Sequence, residues 1–75
     1  MYPNPADAYV DIRSPFATDR PYRVELHNDR GRQVHGETVR TSAVRVDTRL
    51  LPTGLYHLAL RQGNQVKTYN LRIQH

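Results

Sequence analysis

The chain has 75 residues, no cysteine and a formal net charge of +4 at pH 7. This length allows one small domain with a thin core, and the lack of cysteine excludes disulfides, thiolate metal sites and cysteine nucleophiles. No apolar run approaches the roughly 20 residues of a membrane span, and the first residues do not have the pattern of a secretory signal peptide.

The chain opens with Tyr2-Pro3-Asn4-Pro5-Ala6. Two prolines remove two backbone donors and favour an extended backbone, so this stretch cannot be a central strand. We therefore predict that residues 1–6 are the junction with a linker and that residues 7–75 form the domain. Met1 is expected to be a start residue added to an excised fragment.

Alternation of apolar and polar residues dominates the rest of the chain and is typical of half-buried antiparallel strands. The predicted inward residues are, in chain order, Ala8, Val10 and Ile12; Tyr22, Val24 and Leu26; Val44 and Val46; Tyr56, Leu58 and Leu60; and Tyr69, Leu71 and Ile73. Another strand is expected to start within Gly31-Arg32-Gln33-Val34. Residues 37–42 fit either a short seventh strand around Val39 or a loop.

Turn residues separate these stretches. Gly31 ends a predicted short hairpin turn over residues 28–31, and Gly63-Asn64 predicts a two-residue hairpin between two strong strands. A third turn has proline near its start and glycine at its end, at Pro52 and Gly54. The pattern predicts an all-β domain, a small antiparallel β-sandwich of about six or seven strands.

The basic residues do not form a nucleic-acid site. Five arginines lie out of phase with the apolar residues of their strands, where they are expected to keep a sheet face soluble: Arg13, Arg23, Arg45, Arg61 and Arg72. They are dispersed among acidic residues, and most aromatic residues are in phase with the core, so no stacking platform for bases is predicted.

Metal binding and catalysis are also not favoured. His27, His35 and His57 each follow an inward apolar residue and should point outward, without the tight spacing or the fourth ligand typical of zinc sites. Neither serine lies in a nucleophile context, and no acidic pair is positioned for acid–base catalysis. We predict no catalytic residue, no metal and no cofactor, and hence a protein that is not an enzyme.

Three patches, at residues 2–6, 51–56 and 67–73, together with the Gly31–Val34 start, occur in an order that resembles a known family. They are similar to the type A C-terminal sorting domain of the type IX secretion system of Bacteroidetes, an export tail. The resemblance covers almost the whole chain. It implies an immunoglobulin-like sandwich of about seven strands at the end of a larger cargo protein, whose signal peptide lies far upstream.

The resemblance also implies a route and partners. Such a tail is recognised in the periplasm by translocon or shuttle components and guides its cargo across the outer membrane to the cell surface or outside. A sortase-like transpeptidase usually removes it and joins the cargo to lipopolysaccharide; here the cut would lie upstream of Tyr2. Whether this tail is cleaved or retained stays open at this point.

The resemblance assigns residues to these roles. Partner recognition is expected at the last two strands, through Gly54, Tyr56, Lys67, Leu71, Arg72 and Ile73. Pro3 and Pro5 mark the domain start, and Gly31 and Val34 belong to the central hairpin. The chain departs from the family pattern at Arg32, where lysine is common, and at Gln74-His75, which lacks a frequent final lysine.

A different class of function is an accessory module of a secreted protein, of the fibronectin or carbohydrate-binding kind. It requires exposed aromatic residues that stack on sugars. Tyr2, Tyr9 and Phe16 are the candidates.

Overall fold

A computed structural model describes residues 1–17 and 19–75. Six strands follow one another along the chain: β1 (Tyr9–Arg13), β2 (Tyr22–Asn28), β3 (Gln33–Val39), β4 (Ala43–Asp47), β5 (Gly54–Gln62) and β6 (Gln65–Ile73). They form a two-stranded sheet, β1-β4, and a four-stranded sheet in the order β3-β2-β5-β6, with all neighbours antiparallel. The predicted all-β class, with six strands in a small antiparallel fold, is confirmed.

The core lies between the two sheets and is built from the inward residues of alternating strands. Its fully buried aliphatic members include Val10 and Ile12 from β1, Val46 from β4, and Val24, Leu26, Leu58, Leu60, Leu71 and Ile73 from the larger sheet. Because side chains of a strand alternate between its two faces, every second residue of β1, β2 and β5 enters this core. The period-two pattern therefore predicted the core correctly in these strands.

Both predicted hairpin turns form at the expected residues. Gly31 (φ +81°) lies between β2 and β3, and Gly63 (φ +58°) lies between β5 and β6. The left-handed backbone region is unfavourable for residues with a Cβ atom, which explains glycine at both positions. In the first turn, the Asn28 side chain accepts hydrogen bonds from the amides of Arg30 and Arg32 at 2.9 Å each.

Three predicted positions are placed differently in the structure. Ala8 is exposed because β1 starts only at Tyr9. Val39 does not form a separate seventh strand, since it is the last residue of β3. Tyr69 is in phase with Leu71 but remains 37% exposed on the edge strand β6.

His35 lies on the inner side of β3 and does not point outward as predicted. The register between β2 and β3 shifts between Leu26 and His27, so that His35 pairs with the inward Leu26. A bulge adds one residue on one strand and exchanges the two faces beyond it. Nothing in the local sequence pattern signals this shift.

Residues 2–6 form a segment that we call the strap, which connects the edges of the two sheets. Tyr2 exchanges both backbone hydrogen bonds with Asp11 of β1, at 2.8 and 2.6 Å. At the other end, the Ala6 amide donates to the Arg72 carbonyl of β6 at 2.8 Å, and the side chain of Ala6 is fully buried. The two prolines thus lie in an edge segment, as their missing donors require.

Candidate recognition surface

Strand β6 is an edge strand whose outer edge is only partly covered. Its inner side pairs with β5 over residues 65–73. On its outer side the Asn4 side chain of the strap bonds twice, accepting from the Arg72 amide at 3.1 Å and donating to the Asn70 carbonyl at 3.3 Å. Together with Ala6, Asn4 takes the place of a neighbouring strand along the last residues of β6.

The first half of the β6 edge is open. Since Arg72 and Asn70 direct their backbone groups outward, the alternation of an antiparallel strand directs those of Thr68 and Val66 outward as well. In the described part of the chain, no backbone group from outside the sheet bonds to Val66 or Thr68. We call residues 66–70 the open edge. Among the described residues, the outward backbone groups of Val66 and Thr68 and the Asn70 amide have no partner and are available to an added strand, whereas the Asn70 carbonyl accepts from Asn4.

Six residues were predicted to carry partner recognition, and the structure places them in two environments. Leu71 and Ile73 are fully buried and Tyr56 is 4% exposed, with its hydroxyl donating to the Pro52 carbonyl at 2.5 Å. Gly54 starts β5 and pairs with Ile73. These four support β6 from inside.

Lys67 and Arg72 are both exposed and lie on opposite faces of β6. Lys67 is in phase with the core residues but is exposed, like Tyr69 on the same face of this edge strand. An inward charge of this kind on an edge strand discourages pairing with unrelated strands. The accessible side chains among the six predicted residues are therefore the two cations.

The four motif residues occupy framework positions. Pro3 and Pro5 flank Asn4 in the strap, and Gly31 forms the β2–β3 turn. Val34 lies in β3 at the register shift, partly buried against the core.

Most of the outward arginines in the described strands are neutralised by a carboxylate. Glu25 bonds Arg61 at 2.6 Å and lies 3.5 Å from Arg23, and the Arg61 hydrogen bond lowers the pKa of Glu25. Arg45 bonds Asp11 through two nitrogens, which lowers the pKa of that carboxyl.

A further pair joins the last residue of β4 to the loop that follows, where bonds from Arg49 lower the pKa of Asp47 to about 2. Within residues 1–17 and 19–75, neither Lys67 nor Arg72 has such an ion pair. The positive charge of β6 is thus free to meet an anionic partner.

The last residue fixes the end of the chain beside the strap. His75 Nδ1 lies 2.6 Å from an Asp7 carboxylate oxygen and Nε2 lies 2.7 Å from the Leu51 carbonyl. A carboxylate and a carbonyl only accept, so both contacts are hydrogen bonds only when both ring nitrogens carry a proton. In that protonated form His75 is a cation near the place where the family pattern often has a final lysine.

We expect the pKa of His75 to fall towards its ordinary value when Asp7 is replaced by asparagine. Its raised pKa comes first from the hydrogen bond to Asp7 and then from the Leu51 carbonyl. The pKa of His75 is higher in the folded than in the unfolded state. The contact therefore stabilises the fold fully at a pH below the unfolded pKa, and this stabilisation is lost as the pH rises through the folded pKa.

An NMR titration of the His75 ring measures this pKa. Asp19→Asn removes an exposed carboxylate elsewhere and serves as the control. A titration midpoint unchanged by Asp7→Asn would contradict the assignment.

Other candidate chemistry is not assembled in the described residues. His27 and His57 face each other across β2 and β5, whereas His35 bonds Glu37 on the other face. No group of three potential metal ligands comes together among residues 1–17 and 19–75. None of these residues forms a helix long and apolar enough to cross a membrane.

The three candidate sugar-stacking aromatics lie in different environments. Phe16 is buried, with its ring 6.1 Å from that of Tyr22, so its expected exposure is wrong. The guanidinium of Arg45 covers the Tyr9 ring at 3.9 Å. Tyr2, 68% exposed, presents the most free ring surface of the three.

Comparison with known families decides what this surface belongs to. A family model described as a secretion system C-terminal sorting domain matches residues 1–74. The chain belongs to this family. It carries the C-terminal sorting domain of the type IX secretion system, as the patches along the sequence indicated. No curated protein matches the chain.

Membership of the sorting-domain family has direct consequences. The sorting domain is a secretion signal that forms part of a larger cargo protein, and it implies export to the cell surface or secretion. The family is a signal family and not a catalytic one. The exposed edge and the two cations of β6 are therefore considered as a recognition surface and not as a catalytic site.

Sequence reasoning missed some residues of this surface. Asn4 was considered only as part of a proline-rich junction, yet its amide covers the end of the β6 edge. Its position between two prolines was the available signal, since prolines around an asparagine leave the side chain as the main hydrogen-bonding group. Val66, Thr68 and Asn70 contribute through their backbone, which no residue pattern reveals.

Proposed function

We propose that this sorting domain carries its cargo through the periplasm to a shuttle or translocon component, which reads the open edge of β6. The match of the family model over residues 1–74 carries the general function. The choice of surface rests on the geometry of β6. Its first half combines unpaired backbone groups with a free cation, whereas its second half is covered by the strap.

Strand addition is the binding mode that this edge supports best. Backbone hydrogen bonds to Val66, Thr68 and Asn70 would provide affinity, and pockets or charges for the alternating side chains would provide specificity. Val66 is 44% exposed and Tyr69 37% exposed, so an added strand would also cover apolar surface. The partner is expected to be anionic where it meets Lys67 and Arg72.

The remaining residues of the predicted site have supporting roles in this proposal. Tyr56, Leu71 and Ile73 hold β6 against the core, and Gly54 starts the strand that pairs with it. Pro3 and Pro5 shape the strap, while Gly31 and Val34 shape the distant β2–β3 hairpin. Substitution at these positions would act through the fold.

We further propose that a sortase-like transpeptidase removes the domain after transport and joins the cargo to lipopolysaccharide. The type A patches support this fate, because it is the usual one in the family that they resemble. The cut is placed upstream of Tyr2, since the strap is bonded to both sheets. Mass spectrometry of the surface-exposed cargo tests this: peptides of residues 2–75 on mature cargo would contradict cleavage.

Charge reversal on β6 tests the recognition surface. The chain is fused to a periplasmic reporter in a host with a type IX system, and surface reporter is measured. Lys67→Glu with Arg72→Glu is expected to lower surface delivery at least about tenfold. Like charges brought together at an interface cost about 1.4 kcal/mol or more, and that free energy corresponds to a tenfold loss of affinity. Deleting residues 67–75 is less informative, since it also removes the buried Leu71 and Ile73.

The control is Arg30→Glu with Arg40→Glu, which makes the same change of net charge at exposed positions away from β6. The control fusion should be delivered like the parent. Equal delivery of both double variants, with both folded by circular dichroism, would refute the role of the β6 cations. Failure of the parent fusion to reach the surface would refute the sorting function itself.

A further inference from the structure

The two hydrogen-bonding edges of β1 differ in how many of their backbone groups have a partner. On one side, even-numbered residues bond β4 and its extensions: the Thr48 amide donates to the Ala8 carbonyl at 3.0 Å and the Ser14 amide donates to the Ser42 carbonyl at 2.8 Å. On the other side, Asp11 bonds Tyr2 through both backbone groups. The backbone N–H and C=O groups of the odd-numbered residues of β1 therefore point towards the strap.

Arg13 is the next residue of β1 on the strap side. The strap runs antiparallel to β1, so the chain that precedes Tyr2 moves towards Arg13. In an antiparallel ladder, the residue two positions before Tyr2 lies opposite the residue two positions after Asp11. In the part of the chain that the structure describes, no residue outside the sheet bonds the backbone of Arg13.

Space for a further residue exists at this place. Met1 is the residue next to Tyr2 on the way towards Arg13, and its side chain packs, partly buried, against the core. Beside it, an open groove of about 570 Å³ is lined by Met1, Ile12, Arg13 and Val44, among others. A preceding residue could continue the extended backbone along this groove without displacing any part of the fold.

We propose that the linker joining the cargo to this domain adds one backbone pair to β1, between Arg13 and the linker residue two positions before Tyr2. The pairing stops there because Pro15, the next position facing this side, has no N–H, and the chain bends after Ser14. The occupant is the linker itself, and its side chains are unrestricted apart from proline at the paired position.

This inference follows from the attachment of the domain to a cargo chain and is independent of which component reads β6. In this arrangement the last part of the linker belongs to the smaller sheet, because one linker residue pairs with Arg13 of β1. A protease that needs an extended, unpaired substrate is then directed to residues further upstream.

Amide hydrogen exchange at Arg13 tests the proposal. The full 75-residue chain is compared with the same chain that carries a small folded reporter, joined through a Thr- and Ser-rich linker to its N-terminus. We expect the Arg13 amide to exchange at least about tenfold more slowly in the fusion, because a hydrogen-bonded amide exchanges only when it opens. The Asp11 amide, already bonded to Tyr2, should remain protected in both.

Two proline variants of the linker separate pairing from mere proximity. Proline immediately before Met1 removes the N–H that would donate to the Arg13 carbonyl, and its ring would clash with that carbonyl. The whole backbone pair, including the bond from the Arg13 amide to the linker carbonyl, should then be lost and fast exchange restored. Proline one position earlier, where the N–H points away from β1, should leave the Arg13 amide protected. Unchanged Arg13 exchange on fusion, or equal exchange in both proline variants, would overturn the proposal.

Discussion

Leu60→Ala is expected to lower the free energy of unfolding by about 2–5 kcal/mol, the usual cost of deleting a buried leucine side chain. Leu60 lies in the central strand β5, is fully buried, and pairs with Val24 of β2. A domain of this length has a total stability of roughly 4–11 kcal/mol. The substitution therefore removes a large part of the total stability.

Leu50→Ala is the matched control, because it deletes the same atoms from a side chain that is 96% exposed. It should change stability by less than about 0.5 kcal/mol. Urea denaturation followed by circular dichroism compares the midpoints of the two variants with that of the parent. Similar midpoints for Leu60→Ala and Leu50→Ala would show that the assigned core is wrong.

Thr68→Pro is expected to abolish most surface delivery of a reporter fusion while leaving the domain folded. The Thr68 amide faces outward on the open edge, so its loss spares the hydrogen bonds between β5 and β6, and proline is tolerated at such positions of edge strands. An incoming strand, however, would lose a donor and meet the proline ring. We expect a loss of at least about tenfold in delivery, corresponding to about 1.4 kcal/mol of binding free energy.

Thr68→Val is the control for this variant, since valine keeps both the β-branched shape and the backbone N–H. Its fusion should be delivered like the parent. The thermal midpoint of each isolated domain confirms that the comparison concerns folded proteins. Parent-like delivery of Thr68→Pro would rule out strand addition at this edge, while leaving the function of a sorting signal intact.

The elements that the sequence predicted well are those in which local chemistry determines the structure. Val24 and Leu26 alternate with the polar residues Arg23, Glu25 and His27 and are buried as expected, because the alternation of a strand is a property of its own backbone. Gly31 and Gly63 mark turns because their backbone conformation disfavours other residues. The family pattern rests on residues of this kind.

The predictions that failed depend on contacts between distant parts of the chain. His35 turns inward because of a register shift against β2, and Tyr69 stays exposed although it is in phase with the buried Leu71, since β6 is an edge strand of its sheet. Phe16 is buried because the connection after β1 folds back onto Tyr22. None of these arrangements is encoded within a window of neighbouring residues.

The recognition surface was predictable only in part for the same reason. Lys67 and Arg72 were predicted to take part in partner recognition, but the strap that covers half of β6 involves residues more than 65 positions apart. The open edge is defined by where Asn4 and Ala6 stop. It therefore emerges only when both ends of the chain are placed together.

The closing of the strap onto the last strand also sets when the domain can fold. Leu71 and Ile73 complete the core, and Ala6 finds its partner only at Arg72. While residues 71–73 are still being synthesised, this core cannot close. A chain that stops before Leu71 lacks these core residues and the partner of Ala6, so it could not complete the fold of the sorting domain.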